Sequence, residues 1–255
     1  MRRRSTFASI VPALAALASL ASSGCAHEDR RQPNVSFAFS GPVFEKEDPT
    51  QTPAYRYASL GREACEAELG ARAIPFTRVD GARAVLAPVR LAGPIRGIAI
   101  HSVLPAKQRA TSPLEILDCR LVLALDDFAQ LLARYDVVEI VHMSVYRPPR
   151  KTWPEGRIGT RHDGALAIDI GKFIRKDGTA LDVEKDFHGR IGTKMCGPNT
   201  GPSPVTPEAT ALRSMICDAA DQKLFNVELT PDYNWQHRNH FHLEVTANVK
   251  WFLVH

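Results

Sequence analysis

The sequence has no marked excess of charge of either sign. Its 32 Lys and Arg stand against 28 Asp and Glu. Three of the basic residues, Arg2, Arg3 and Arg4, lie in a segment that we expect to be removed, which leaves 29 against 28. Nucleic-acid binding requires a clustered basic surface. We therefore expect no nucleic-acid partner.

The sequence also lacks an apolar stretch of the length that a membrane-spanning helix requires. The apolar stretch at residues 7–20 is short and is interrupted by Pro12, whereas a spanning helix needs about 20 apolar residues. Hydrophobic residues make up 44% of the chain and charged residues 24%, an ordinary balance for a globular protein. The composition excludes a fibrous or fully disordered chain.

Residues 1–25 have the order of an export signal. A positive start is followed by the apolar stretch and then by small residues. Ser-Ser-Gly-Cys at residues 22–25 resembles a bacterial lipobox, in which the cysteine is lipidated and becomes the new N-terminus, although Ser22 stands where that pattern prefers Leu. We expect an exported protein, either a periplasmic or outer-membrane-associated lipoprotein held to the membrane through Cys25, or a secreted protein cleaved after Ala26.

Four further cysteines agree with export: Cys65, Cys119, Cys196 and Cys217. An even number in an oxidising compartment favours disulfides. A four-cysteine metal site is the rival interpretation, but the sequence has no CxxC spacing. Three pairings are possible, and we favour Cys65–Cys119 and Cys196–Cys217 because each pair is near in sequence and flanks a predicted helix.

The chain divides into a tether and one domain. Residues 26–55 are polar and contain several prolines, so they bury little apolar surface and predict a flexible tether. No internal repeat is visible. The folded part is expected to be residues 56–255.

Within this domain helices and strands are mixed. The predicted helices are Arg62–Ala71, residues 121–135 and Pro207–Asp221, the last capped by Thr206. The predicted strands are residues 84–91, 95–102, 137–146, 165–174 and 239–246, and residues 197–207, with four prolines and two glycines, predict a loop. Since there is no regular βαβ repeat, we expect an α+β fold with a mostly antiparallel sheet packed with helices.

Potential metal ligands occur in two clusters. His237, His240 and His242 lie close together near the end of the chain, and upstream stand His162 and Asp169. Side chains two residues apart on a strand point to the same face, so two of the late imidazoles can approach one point. Zinc takes imidazole and carboxylate ligands, and a catalytic site keeps one position open. Two His and one Asp would form such a set.

The order of these residues carries a family resemblance. His162-x6-Asp169 followed by His237-x2-His240-x-His242 resembles the zinc peptidases that unite D-alanyl-D-alanine carboxypeptidases, penicillin-insensitive murein endopeptidases and the Hedgehog signalling domain. More closely, most of residues 60–246 is similar to the bacterial extensin-like C-terminal domain family. The segments that carry this similarity are 117–121, 144–147, 160–162, 167–170, 177–178, 230–234 and 240–243.

The resemblance implies a Hedgehog/D-Ala-D-Ala-peptidase-like fold and a role for each site residue. The implied zinc ligands are His162, Asp169 and His242. His240 would lie beside the metal and hydrogen-bond the substrate, His237 would act as a general base, and Arg147 would hold a substrate carboxylate or the scissile carbonyl oxygen.

Other positions near the ligands are less directly defined. Asp232 or Glu244 could orient a ligand imidazole, because metal-bound histidines usually need such a partner. Thr160 stands where the family usually has Ser. Ala165 stands where it usually has Gly, and Gly164 comes one place earlier.

The expected function is that of a zinc-dependent metallopeptidase. It would hydrolyse amide bonds in peptidoglycan peptides, as a carboxypeptidase or an endopeptidase, with Zn²⁺ as cofactor and peptidoglycan as partner. The alternative is a metal-containing cell-wall-binding or structural module without turnover.

Overall fold

The computed structural model describes residues 48–255. The expected signal, residues 1–25, and residues 26–47 of the expected tether lie outside the described residues. The end of that tether forms a 3-10 turn, Pro49–Gln51, and leads into the first helix. Within residues 48–255, no helix combines the length and the hydropathy that crossing a membrane requires.

The elements alternate along the chain without a simple repeat. The helices are α1 (Pro53–Ala58), α2 (Arg62–Ala71), α3 (Ala106–Arg109), α4 (Cys119–Leu132), α5 (Val183–Asp186) and α6 (Pro207–Asp221). The strands are β1 (Phe76–Arg78), β2 (Pro88–Leu91), β3 (Ala99–Ser102), β4 (Leu117–Asp118), β5 (Val137–Ser144), β6 (Ala167–Arg175), β7 (Ala180–Asp182), β8 (Val227–Leu229), β9 (Phe241–Glu244) and β10 (Leu253–Val254). Further 3-10 turns lie at Pro113–Glu115, Ala133–Tyr135 and Trp235–His237.

The strands form two sheets. The larger has seven strands in the order β10-β8-β9-β6-β5-β3, with β7 also paired to β6. The pairs β3–β5 and β8–β10 are parallel, and the other pairs of this sheet are antiparallel. The smaller antiparallel sheet has the order β1-β2-β4. The predicted α+β class with a mostly antiparallel sheet is confirmed.

Helix α4 lies at the centre of the core. It contacts α1, α2 and α6, and nearly all of its side chains are buried. The ring of Phe128 meets Phe173 of β6 edge-on at 6.3 Å and Phe225 at 5.6 Å. Burial of one such ring stabilises the fold by roughly 1.5–3 kcal/mol. This packing fixes β6, the central strand of the site, against the helical layer.

The predicted helices agree closely with the structure. The bounds of α2 and α6 are as predicted, and the Thr206 hydroxyl accepts the amide of Ala209 at 3.1 Å as an N-cap. Helix α4 begins two residues earlier than predicted because the Asp118 carboxylate caps it, accepting the amide of Arg120 at 3.0 Å.

The early strands are shorter than predicted. The stretch 84–91 becomes a strand only at Pro88, because Ala84 has φ +66° and interrupts an extended chain. The stretch 95–102 starts with a tight turn in which Ile95 and Ile98 exchange backbone hydrogen bonds around Gly97, at φ +82°, before β3 begins. Strands β1, β4, β7, β8 and β10 were not predicted.

Both predicted disulfides are confirmed. Cys65–Cys119 joins α2 to the first residue of α4, with Cα atoms 6.0 Å apart. Cys196–Cys217 joins the loop before α6 to that helix, with Cα atoms 5.6 Å apart. The rival four-cysteine metal site is therefore wrong. Such bonds persist in oxidising compartments, so they indicate an extracytoplasmic location.

The turn at residues 159–165 contains His162 and depends on two unusual backbone positions. A Cβ atom at Gly164 would collide with the carbonyl group of Gly159, so this close approach requires glycine. The next residue, Ala165, is fully buried and has φ +54°. Its carbonyl accepts the amide of Asp118 at 3.0 Å, which ties the turn to the start of α4. The family's usual glycine would suit the left-handed conformation of residue 165, whereas this chain places a strained alanine there.

We expect Gly164→Ala to lower the free energy of unfolding by about 2 kcal/mol or more, because the new Cβ meets backbone that must move. Ala165→Gly should raise it by up to about 1 kcal/mol, since relief of left-handed strain exceeds the added freedom of the unfolded chain. Urea unfolding of both variants measures the difference. Equal destabilisation by the two changes would contradict this account of the turn.

Candidate metal centre

Two neighbouring strands place a carboxylate opposite an imidazole. Asp169 of β6 pairs directly with His242 of β9. The preceding pair, Ile168 and Leu243, is fully buried in the hydrophobic core. Because side chains alternate across a sheet, Asp169 and His242 point to the opposite face, where the turn that contains His162 also lies.

The three side chains meet at one point. The Asp169 Oδ1 atom lies 2.9 Å from Nδ1 of His242 and 3.2 Å from Nε2 of His162. One ligand atom from each residue lies within 4.8 Å of the others. The structure thus brings together the three residues for which the sequence predicts a common role.

The other nitrogen of each imidazole is held by a group that accepts a hydrogen bond. His162 Nδ1 lies 2.8 Å from the carbonyl oxygen of Val145, and because a carbonyl only accepts, Nδ1 carries the proton and Nε2 keeps its lone pair. His242 Nε2 lies 3.2 Å from Oε2 of Glu244, so Nδ1 is the nitrogen directed at Asp169. Two imidazoles and one carboxylate, oriented by such partners, fit the donor set of a zinc site.

Electrostatics keep Asp169 ionised. Burial alone would raise the pKa of its carboxyl, but the hydrogen bonds of His162 and His242 and the charges of His162 and His240 outweigh burial, and the pKa lies far below its usual value. For His242, burial lowers the pKa, but the hydrogen bonds to Asp169 and Glu244 raise it above its usual value. A metal ion would compete with this proton, as it does at all histidine ligands.

Arg147 reaches the same carboxylate from the end of β5. Its Nη2 donates to Oδ2 of Asp169, and its Nε donates to the Ser144 hydroxyl at 2.7 Å. The rest of the guanidinium is accessible, because the side chain is 58% exposed. Arg147 therefore has donors left for a ligand in front of the cluster.

His240 and His237 complete the cluster. His240 Nε2 lies 3.5 Å from Oδ1 of Asp169. The ring of His237 is centred 5.1 Å from that of His240. His237 Nδ1 lies 2.8 Å from Oδ1 of Asn234. Because an amide oxygen accepts hydrogen bonds, Nδ1 carries the proton and Nε2 keeps its lone pair. Burial and the nearby histidines lower the pKa of His237 to about 4, so its ring is neutral at pH 7.

The structure adds Ser144 and Asn234 to the predicted site and gives Asp232 other partners. Ser144, which positions Arg147, pairs with Asp169 across the β5–β6 ladder. Asn234 caps the Trp235–His237 turn, and an Asn three residues before the histidine is a cap signal readable in the sequence. Glu244 contacts the imidazole of His242 as expected, but the Asp232 carboxylate instead accepts hydrogen bonds from the Arg213 side chain and the backbone amide of residue 190.

Comparison with known proteins gives one match. The family model described as extensin-like protein C-terminus matches residues 63–253, a range that includes every residue of the cluster. No curated protein and no solved structure matches the chain. Because the matched range covers most of the sequence, the protein belongs to the family of proteins with an extensin-like C-terminus.

Proposed function

We propose that this protein is a zinc-dependent peptidase that hydrolyses amide bonds in peptidoglycan peptides, as a carboxypeptidase or an endopeptidase. The observation that carries the proposal is the convergence of His162, Asp169 and His242, whose ligand atoms lie within 4.8 Å of one another. The order of these residues along the chain also supports placing the fold in the Hedgehog/D-Ala-D-Ala-peptidase superfamily. The disulfides agree with a substrate outside the cytoplasm.

The three residues would hold the metal through His162 Nε2, an Asp169 oxygen and His242 Nδ1. When bound, zinc supplies a Lewis acid that polarises a carbonyl group and activates a water molecule near neutral pH. Glu244 and the Val145 carbonyl fix the two imidazoles by accepting their other N–H groups. These hydrogen bonds fix the orientation of both rings, as metal-bound histidines usually require.

Arg147 is the proposed anchor for the substrate. Its guanidinium is fixed on one side by Asp169 and Ser144 and exposed on the other. The exposed N–H groups can donate to a substrate carboxylate or to the carbonyl oxygen of the scissile amide, where negative charge develops. The Nδ1 atom of His240 lies 2.9 Å from Oδ1 of Asn239, and its Nε2, beside Asp169, would donate to the same oxygen.

His237 is the proposed proton carrier. Its Nε2 is available because Asn234 holds Nδ1, and its low pKa keeps the ring neutral at pH 7. A base with a pKa of about 4 is always ready to accept a proton there, although it is weaker than an ordinary histidine. It would take a proton from the attacking water and deliver it to the leaving amine.

The alternative, a wall-binding module without turnover, would need the ligand set but not these neighbours. Arg147 and His240 approach the same carboxylate, and the ring of His237 lies against that of His240, in positions suited to bind and protonate a reacting amide. Their convergence favours an enzyme.

We expect the double change His162→Ala and His242→Ala to abolish zinc binding, because only one of three ligands would remain. Metal analysis after dialysis measures bound zinc per chain, and circular dichroism checks the fold. His101→Ala is the matched control, since His101 is a partly buried histidine of β3 that pairs with Glu139 instead. Full zinc occupancy in the double variant would overturn the ligand assignment.

Loss of the proton carrier should affect turnover but not metal content. We expect His237→Gln to lower the rate of muropeptide hydrolysis by roughly 10²–10⁴-fold, the usual contribution of a general acid–base group, while zinc stays bound. Mass spectrometry of muropeptide digests measures released D-Ala or split cross-links, and EDTA should abolish both. Binding of intact wall by the wild-type protein without any product would favour the non-catalytic module instead.

A further inference from the structure

A second concavity lies beside α6, apart from the metal cluster. It is formed by the segment that follows α5 and by one residue of α6, and its volume is about 720 Å³, within the range of small-molecule sites. None of the six cluster residues is among the described residues that line it. Its polar lining includes His188, Arg190, Lys194, Asn199, Thr200 and Arg213.

The charged side chains that line this cavity are all basic. Arg190, Lys194 and Arg213 line it, and no Asp or Glu does so anywhere in residues 48–255. The acid behind the wall, Asp232, is fully buried and already pairs with Arg213 at 2.8 Å. Neither Arg190 nor Lys194 forms an ion pair with another described residue. Among the described residues these two cations have no compensating acid, and a concave positive surface concentrates anions.

The cavity wall is fixed in place. The Asp232 carboxylate accepts the amide of Arg190 at 2.6 Å, and the Asp232 carbonyl oxygen accepts the amide of Gly192 at 2.7 Å. The guanidinium of Arg213 lies over the ring of Phe187, 4.6 Å from its centre. The Cys196–Cys217 disulfide holds the far side of the segment to α6. The backbone that carries Arg190 is therefore fixed before binding, and only the exposed side chains of Arg190 and Lys194 would have to become ordered.

The same wall is joined to the strand that contains His242. Asp232 lies five residues before His237, on the segment that leads into the cluster. Phe187 packs edge-on against Phe241, with ring centres 5.5 Å apart, and Phe241 separates His240 from His242. Through these contacts the wall is fixed to β9, the strand that contains His242.

We propose that this cavity binds a free carboxylate of an acidic peptide and serves as an anion subsite for the substrate of the metal centre. The proposal rests on the proposed function for its link to the peptidase site. Peptides of the cell wall carry such carboxylates beside their amide bonds. Arg190 and Lys194 would bind the carboxylate, while Asn199 and Thr200 supply uncharged hydrogen-bonding groups.

The direct test is calorimetric binding at low salt. The probe is a capped γ-D-glutamyl peptide whose only carboxylate is the α-carboxylate of that residue, and the reference is the same peptide with this group amidated. We expect the wild-type protein to prefer the acidic peptide, and we expect Arg190→Gln and Lys194→Gln each to weaken its binding on the order of tenfold, because charge-assisted hydrogen bonds are the strong ones. Lys107→Gln, on exposed α3, is the charge-matched control and should bind as the wild type does.

Inorganic phosphate tests whether the cavity selects a peptide carboxylate or binds a free phosphate ion. Weak competition by phosphate supports the carboxylate assignment, whereas phosphate binding without peptide binding overturns it. Equal affinity for the acidic and amidated peptides, or no effect of either variant, also overturns it.

Measurements of muropeptide hydrolysis distinguish a failure of this proposal from a failure of the proposed function. If muropeptides are not hydrolysed but the acidic peptide still binds in a manner that depends on Arg190, the subsite holds and only the peptidase fails. If hydrolysis occurs and Arg190→Gln raises KM for acidic but not for amidated muropeptides, with kcat unchanged, both hold. Hydrolysis with an unchanged KM in both variants refutes the subsite alone.

Discussion

The carboxylate of Asp169 is buried on the central strand of the sheet, where an ionised group is unfavourable unless its oxygens are bonded. His162 and His242 contact one oxygen, and Arg147 contacts the other. These bonds keep the group charged and fix the positions of three side chains that come from different parts of the chain. Removing one partner would leave the buried charge partly unpaired, so site geometry and local stability depend on the same contacts.

The sheet register determines where this carboxylate points. Asp169 lies opposite His242, and the neighbouring pair Ile168 and Leu243 faces the core. A slip by one residue would turn the charged pair into the core and the apolar pair outward, so the hydrophobic core itself specifies the site. The contact of Phe128 with β6 secures that register from the helical side.

Those parts of the molecule that depend on local pattern could be predicted from the sequence. Helix α6 has a capping signal in Thr206 followed by Pro207, α2 has a helical composition, and the α+β class follows from the order of elements. The residues that meet at Asp169 were indicated by their types and order. Strands such as β8 and β10 are only two or three residues long, and they exist because partners distant in sequence offer hydrogen bonds. The left-handed Ala165 and the pairing of Asp232 with Arg213 likewise depend on tertiary contacts that no local pattern reports.

The metal cluster and the cavity beside α6 differ in how their charge is balanced. In the cluster, His162, His242 and Arg147 all contact one carboxylate, so most of their hydrogen-bonding capacity is used within the protein. Of these three, only Arg147 has an exposed part that remains for a substrate, and one partly engaged guanidinium gives limited affinity and little selectivity. In the cavity beside α6, by contrast, Arg190 and Lys194 have no acidic partner within residues 48–255. Since binding energy from parts of a substrate remote from the reacting bond can be used to position that bond, a separate anion site would supply the affinity that the cluster does not.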